Sequence, residues 1–231
     1  MRIRLTVAIA ATAAITLSSC GSPNWTAQPG PLPAATSSNA LTWLDELPVR
    51  PAAPSGYSRD AFDDWQTNPA AGPSCDTRDQ VLLTEAIKPP TQGNSCSLTG
   101  GRWHSVYDDT TVTKASSLDI DHVVSLKNAW SSGAHSWPDH LRAQFSNDTR
   151  YPDSLIAVTA SSNRSKSHKS PDLWMPSDRS YHCRYAATWT AVKHRWNLSV
   201  TPTEHDHLAN VLTSCPTTTV PSPPPAHGIS R

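Results

Sequence analysis

Glycine, charge and two of the large apolar residue types are scarce in this 231-residue sequence, which has nine glycines, two phenylalanines and two methionines. Nine glycines exclude a collagen-like chain, in which glycine takes about a third of all positions. Charged residues make up only 16% of the chain, and its 19 basic and 19 acidic residues cancel. The totals therefore give no sign of a strongly basic, nucleic-acid-binding chain. The hydrophobic residues, 37% of the chain with nine tryptophans among them, are enough for one core.

The N-terminus lacks an apolar run long enough to span a membrane. Its uncharged run from Leu5 to Leu17 has 13 residues, whereas a membrane-spanning helix needs about 20. Arg2 and Arg4 precede the run, and Leu17-Ser18-Ser19-Cys20 follows the pattern of a bacterial lipobox. We therefore predict a lipoprotein signal peptide at residues 1–20. The lipid-modified Cys20 would then anchor the exported protein to the outer face of the membrane, or the protein is released. The alternative is an ordinary secretory signal in which Cys20 has no role.

Proline is concentrated at the two ends of the chain, with twelve of 21 in residues 21–56 and 216–231. Residues 21–40 carry no charge and are rich in Pro, Ser, Ala and Thr, which predicts a disordered tether. Residues 216–231 have a similar composition and predict a disordered tail. The sequence therefore predicts one folded domain at residues 41–215, which we expect to be monomeric.

Four cysteines remain in the predicted domain once Cys20 is set aside. An even number of cysteines in an exported protein predicts two disulfides, and four cysteines allow three pairings. We predict the pairs Cys75–Cys96 and Cys183–Cys215, because these close the shortest loops. The absence of a Cys-x-x-Cys spacing argues against a zinc ribbon or a thioredoxin-like redox site.

Hydrophobic periodicity predicts an α+β fold with its helices concentrated toward the C-terminus. The clearest signal is a helix in which apolar residues recur at spacings of 4, 4, 3 and 4 and define one face. Residues 97–113 are rich in Thr, Val, Trp and Tyr and predict one or two short hairpins. The remaining predictions are strands at Leu118–Val124 and Leu155–Val158, and helices at Ser58–Trp65, Asp79–Lys88, Leu126–Ser131, Asp139–Ser146, Tyr181–Trp196 and Thr203–Leu212.

Basic charge is concentrated in one segment of the domain. Residues 160–200 contain seven Lys and Arg against two Asp, a net charge of +5. Removal of the signal peptide leaves the whole chain slightly acidic, so the rest of the domain is strongly negative by comparison. This segregation favours one anion-binding face, although a solvated helix face would have the same composition.

The most informative stretch is Asp119-Ile120-Asp121-His122, with Asn163 further along the chain. If the chain turns after the first of two strands, the helix after the second strand brings Asn163 beside Asp121. Carboxylate and amide oxygens suit Mg²⁺, which keeps most of its waters and accepts one or two protein ligands. His122, with an ordinary pKa near ~6.5, is mostly neutral at neutral pH and can take a proton from water.

These motifs resemble the HNH endonuclease family of ββα-metal nucleases. They are most similar to small exported bacterial relatives of the nuclease domain of GmrSD-type restriction enzymes. The resemblance extends over about residues 57–215. It is carried by Cys75-Asp76-Thr77-Arg78, Leu118-Asp119-Ile120-Asp121-His122-Val123-Val124, Leu155-Ile156-Ala157-Val158, Ser161-Ser162-Asn163-Arg164-Ser165-Lys166 and Tyr181-His182-Cys183-Arg184-Tyr185-Ala186-Ala187.

The resemblance implies a ββα-metal core with additional C-terminal helices, which the two disulfides staple. It also implies hydrolysis of DNA phosphodiester bonds, with RNA as the open alternative. His122 would be the general base, and Asp121 and Asn163 would hold one divalent ion, Mg²⁺ or Mn²⁺.

Three basic residues would lie near the phosphates of the substrate, and two further residues are expected just outside the site. The first three are Arg164, Lys166 and Lys169. The other two are Arg78 and Asp119.

The sequence departs from the family pattern in three places. Ser125 takes the place of a usual proline, and the segment 167–170 replaces a usual glycine and aspartates. Ser154 stands where relatives have the asparagine that orients the loop holding the histidine, and a serine has fewer donors than an amide. Two alternatives therefore stay open: a degenerate HNH fold that binds nucleic acid without cleaving it, and an envelope lipoprotein with an interaction role.

Overall fold

The computed structural model describes residues 31–228 except residues 54, 70, 216 and 227. The predicted signal peptide, Cys20 and residues 21–30 of the predicted tether lie outside the described residues. Within the described part, no helix has the length and apolar character needed to cross a membrane.

The described residues form a mixed α/β structure of seven α-helices and eight short strands. The helices are α1 Ser37–Glu46, α2 Thr77–Glu85, α3 Leu126–Ser131, α4 Asp139–Ser146, α5 Ala160–Lys166, α6 His182–Arg195 and α7 Pro202–Thr213. The strands are β1 Ala34–Thr36, β2 Thr91–Gln92, β3 Leu98–Thr99, β4 Trp103–Ser105, β5 Thr110–Val112, β6 Leu118–His122, β7 Leu155–Thr159 and β8 Thr219–Pro221. They pair into four two-stranded antiparallel sheets: β1 with β8, β2 with β3, β4 with β5, and β6 with β7.

The sheet of β6 and β7, together with α5, holds the motifs singled out in the sequence. In the antiparallel register, Leu118 lies opposite Thr159 and His122 lies opposite Leu155. Helix α5 follows β7 without a loop, because the Thr159 hydroxyl accepts a hydrogen bond from the Ser162 amide and caps the new helix. The helix therefore starts beside the first residue of β6 and returns along that strand toward His122.

Most predicted helices and strands are present within one to three residues. The α7 boundary has a clear local cause, since Thr201 and Glu204 form a capping box around Pro202 at the first helical position. The predicted helix at residues 58–65 is instead a single 3-10 turn, Arg59–Phe62, which ends where Asp63 takes a left-handed conformation. In the predicted hairpin region, only β4 and β5 pair with each other, because β3 pairs backward with β2.

Helix α6 is the main support of the core. Its predicted apolar face is buried, with Tyr185 and Trp189 fully inside and Trp196 just after the helix 2% exposed. The helix packs against both α1 and α7, which also pack against each other. Burying a large side chain contributes about 1.5–3 kcal/mol, so this one face accounts for a large share of the hydrophobic stabilisation.

Both predicted disulfides are present. Cys75–Cys96 links the segment before α2 to the loop after β2, and Cys183–Cys215 links the start of α6 to the second residue after α7. Asp79 lies close to the first pair, but the two sulfur atoms are bonded to each other and so are not free to bind a metal ion.

The two ends of the domain extend beyond the predicted boundaries at residues 41 and 215. Strands β1 and β8 pair, and Ala35 and Val220 at their centres are 6% and 2% exposed. The Ser37 hydroxyl donates to the carbonyl oxygens of Cys215 and Thr218. The predicted disorder is therefore wrong for residues 34–40 of the tether and for residues 217–226 of the tail, which are part of the fold. The two short strands could not be predicted from this proline-rich composition, because each strand buries only one apolar side chain and so leaves no hydrophobic pattern.

Candidate active site

A cleft of about 580 Å³ opens between β6 and α5. Four predicted site residues line it together, which are Asp121, His122, Asn163 and Arg164. The two residues expected just outside the site, Asp119 and Arg78, line it as well. The chain thus brings the separated motifs of the sequence to one place, because α5 returns along β6.

His122 is held as a neutral ring. Its Nε2 lies 2.9 Å from the Ser146 carbonyl oxygen, which can only accept, so Nε2 carries the ring proton and Nδ1 does not. Burial lowers the pKa of His122 to about 4, against the opposing effect of that hydrogen bond. Trp65 stacks on the ring at 5.4 Å between centroids. Among the described residues no hydrogen bond to Nδ1 is present and His122 lines the cleft, so Nδ1 is the ring nitrogen left to accept a proton from water.

Asp121 is the centre of a buried polar cluster. Its Oδ1 accepts a hydrogen bond from Lys166 Nζ at 2.9 Å, and its Oδ2 accepts one from the Tyr107 hydroxyl at 2.6 Å. Lys166 Nζ also donates to the His122 carbonyl oxygen at 3.0 Å. Burial raises the pKa of the Asp121 carboxyl, and the Lys166 ammonium opposes that rise.

The cluster changes the roles predicted for two residues. Lys166 is fully buried, so it does not lie among the phosphates of a substrate as predicted; it is a structural partner of Asp121. Asp121 was predicted to bind a metal ion, yet both its oxygens are occupied and its side chain is 5% exposed. The sequence could not show this, because the buried partner follows 45 residues later on another element.

Asp119 and Asn163 form the open side of the cleft. Asn163 Nδ2 lies 3.3 Å from Asp119 Oδ2, and Arg164 Nε lies 4.0 Å from the same oxygen. The Asp119 side chain is 36% exposed, so its carboxylate is available to a ligand. The alternation of β6 places Asp119 and Asp121 on the same face of the strand, and this period of two was the signal that could have identified Asp119 as a site residue.

Comparison with known proteins supports the same region. The GmrSD restriction endonuclease C-terminal domain family matches residues 76–211, a range that contains β6, β7 and α5. The chain belongs to this family. An uncharacterized secreted protein of Arthroderma benhamiae is 43% identical over 194 residues, which cover 82% of this chain and 93% of that protein. No solved structure matches the chain.

The exposed cations of this GmrSD-type domain are distributed differently from the prediction. The Arg164 side chain is 78% exposed at the cleft. Lys169 is exposed and donates to the Ser165 carbonyl oxygen at 2.9 Å, but it does not line the cleft. Arg78 does, although its guanidinium also donates to the Leu118 carbonyl oxygen at 2.9 Å.

The turn between β4 and β5 contacts the buried side of the site, and its role was not identified from the sequence. Tyr107 in this turn holds Asp121, as described above. Its neighbour Asp108 accepts hydrogen bonds from Thr159 at 2.5 Å and from Ser162 at 2.9 Å, both at the start of α5. The turn thus fixes the strand and the helix of the site together. Its only sequence signal was the hairpin pattern itself.

Ser154 still holds the loop after the histidine, but through its main chain. Its carbonyl oxygen accepts a hydrogen bond from the Val123 amide at 3.0 Å. Its hydroxyl lies 3.5 Å from Asp148, which is buried and paired with Arg195. Ser125, which takes the place of the family's usual proline, also has a structural role. Its hydroxyl accepts a hydrogen bond from the Asn128 amide and caps α3.

Ser167 has a backbone conformation that favours glycine. Its φ is 54° and its ψ is −123°, a combination that costs a residue with a Cβ about 1–3 kcal/mol. It follows α5 directly and lines the cleft. The segment 167–170, in which the family's usual glycine is replaced, therefore begins with a strained residue at the edge of the site.

Replacing the buried lysine tests its structural role. Lys166→Met leaves Asp121 without its charged partner, and we expect the free energy of unfolding to fall by about 3–5 kcal/mol in urea titrations. The matched control is Lys169→Met on the exposed surface, for which the change is within about 0.5 kcal/mol. Equal stability of both variants and the parent chain would contradict the assignment.

A substitution that relieves the backbone strain at residue 167 is expected to stabilise the protein, in contrast to Lys166→Met. Ser167→Gly removes the Cβ from the left-handed region, and we expect it to raise the free energy of unfolding by about 1 kcal/mol. Ser165→Gly, two residues earlier within α5, serves as the control and lowers it by about the same amount. A destabilising Ser167→Gly substitution is the result that refutes the strain.

Proposed function

We propose that this protein is an exported, metal-dependent endonuclease that hydrolyses DNA phosphodiester bonds. In this proposal β6, β7 and α5 are the ββα-metal core of an HNH-type nuclease. The observation that carries it is the His122 ring, held through Nε2 by the Ser146 carbonyl oxygen in the lining of a cleft shared with a carboxylate, an amide and arginines. Membership of the GmrSD-type nuclease family supports the same reaction class.

His122 acts as the general base. The Ser146 carbonyl oxygen fixes the ring and its tautomer, so the Nδ1 lone pair is ready to take a proton from the attacking water. The low pKa keeps the ring unprotonated throughout the neutral range, although it also makes the ring a weaker base. Stacking on Trp65 excludes water from one face of the ring and limits its rotation.

The open donors of the cleft fit a hard divalent cation. Asp119 offers a carboxylate and Asn163 an amide oxygen, and Mg²⁺ or Mn²⁺ accepts such a pair while keeping its other waters. When bound, the ion supplies positive charge that stabilises the phosphorane-like transition state and the leaving oxygen. Asp121 supports these two ligands through its place on β6, and it is the less exposed carboxylate, with each oxygen already accepting one hydrogen bond, from Lys166 or Tyr107.

The cations at the cleft bind the substrate backbone. Arg164 is free to contact a phosphate, and Arg78 adds positive charge from α2. Export agrees with the two disulfides, which persist in oxidising compartments, and with the relative described as secreted. We infer that the protein works outside the cytoplasm as a monomer anchored through Cys20.

Binding without cleavage is the second candidate function. The occupied oxygens of Asp121 favour it, because the residue predicted to hold the metal ion is committed to internal partners. Such a protein would bind DNA in the same cleft but leave it intact.

A cleavage assay separates the two functions. Plasmid DNA incubated with the protein and Mg²⁺ or Mn²⁺ is expected to be nicked and linearised, and EDTA is expected to stop the reaction. His122→Ala removes the general base and should lower the rate by about 10²–10⁴-fold, whereas the exposed His140→Ala leaves it unchanged. Full activity of His122→Ala refutes the mechanism, and DNA binding with no cleavage by the parent chain favours the second function. RNA in place of DNA shows the substrate preference.

Metal binding distinguishes the two aspartates by calorimetry. Asp119→Asn is expected to weaken Mn²⁺ binding by about tenfold or more, equivalent to about 1.4 kcal/mol, because it removes a carboxylate ligand. Asp121→Asn should keep most of the affinity and instead lose stability, since Lys166 is left buried without its partner. The reverse pattern would make Asp121 the ligand.

A further inference from the structure

A second cleft, of about 360 Å³, adjoins the candidate active site and takes no part in the proposed reaction. The two clefts share Lys127 and His168, both exposed, which lie on the boundary between them. Arg50 lines the second cleft and is also exposed. Its main chain is fixed, because its amide donates to the Val200 carbonyl oxygen at 2.9 Å.

The boundary between the clefts is positively charged. Partial burial lowers the pKa of His168 and the ammonium groups of Lys127 and Lys169 lower it further, in keeping with the place of Lys127 beside this residue in the lining of both clefts. A phosphate in the first cleft therefore has further cations beside it in one direction.

The acidic residues of the second cleft do not cancel this charge. Glu204 is buried and paired with Lys193 at 2.6 Å, so it presents no net charge to the cleft. Asp172 accepts a hydrogen bond from the Ser170 hydroxyl, which leaves its charge in place, so it offsets only one of the two cations Arg50 and Lys127. The rest of the lining is mainly hydroxyl and amide groups, the types that contact phosphates and sugars without reading sequence.

A third cleft, lined in part by residues of the turn Arg59–Phe62, is acidic. Its carboxylates are those of Asp60, Asp63 and Asp139, of which Asp139 is paired with Arg142. Arg59 on the active-site side of this turn is itself paired with Asp64. A strand bound at the active site thus has an acidic cleft and a cleft with exposed cations as neighbours, and its phosphates favour the second.

We propose that a single nucleic-acid strand leaves the active site across Lys127 and His168 and continues into the second cleft, where Arg50 contacts one of its phosphates. This inference rests on the proposed function in one respect, namely that the scissile phosphate occupies the first cleft. The inference adds the path that the strand takes away from the first cleft, and one phosphate contact outside the reaction centre.

Salt dependence of binding tests the contact with Arg50. The full chain in EDTA, which prevents cleavage, is titrated into a fluorescent single-stranded oligonucleotide of about 12 nucleotides, and anisotropy gives the affinity at several salt concentrations. Loss of one phosphate contact lowers the slope of log K against log salt by about 0.7 for a single strand. We expect this for Arg50→Gln. The matched control is Arg150→Gln, an exposed arginine outside both clefts, which should leave the slope unchanged.

A dinucleotide probe and a parallel cleavage assay complete the design. Arg50→Gln should not weaken binding of the dinucleotide, which fills the first cleft alone. The proposal is overturned if Arg50→Gln leaves the salt slope unchanged, or if Arg150→Gln lowers the slope as much. It is also overturned if Arg50→Gln weakens dinucleotide binding as much as oligonucleotide binding, or if the parent chain does not bind the oligonucleotide. Binding that depends on Arg50 without any cleavage refutes the nuclease and leaves the strand path standing. Cleavage of DNA with no effect of Arg50→Gln on the salt slope supports the nuclease and refutes the strand path.

Discussion

The buried ion pair of Lys166 and Asp121 is the constraint on which the site depends. A lysine without exposure is costly unless its charge is matched and its donors are used, and here Asp121 and the His122 carbonyl oxygen meet both needs. The pair joins the last turn of α5 to the end of β6. Because α5 starts directly after β7, this one contact fixes all three elements of the proposed nuclease core.

The position of the remaining polar groups follows from that contact. With Asp121 turned inward toward Lys166 and Tyr107, the next residue on the same strand face, Asp119, is left at the cleft beside Asn163. The turn from β6 then brings His122 under the Ser146 carbonyl oxygen. One face of β6 thus supplies both the internal anchor and the open carboxylate.

The sequence predicted the position of the site better than the roles within it. The motif around His122, the α6 face and both disulfides could be predicted because each is a local pattern or a shortest loop. Lys166 could not, because burial depends on the helix direction, which no spacing within residues 160–166 reveals. The strands at the two ends of the domain were missed for a related reason: their pairing joins residues about 185 apart, and composition has no information on such contacts.

The state of the His122 ring tests the central claim most directly. Nitrogen-15 NMR of the metal-free protein at neutral pH distinguishes the two neutral tautomers from the protonated ring. The structure predicts a neutral ring with its proton on Nε2, bonded to the Ser146 carbonyl oxygen, and an unprotonated Nδ1. A proton on Nδ1, or a fully protonated ring, would contradict the assignment of His122 as a base that acts through Nδ1.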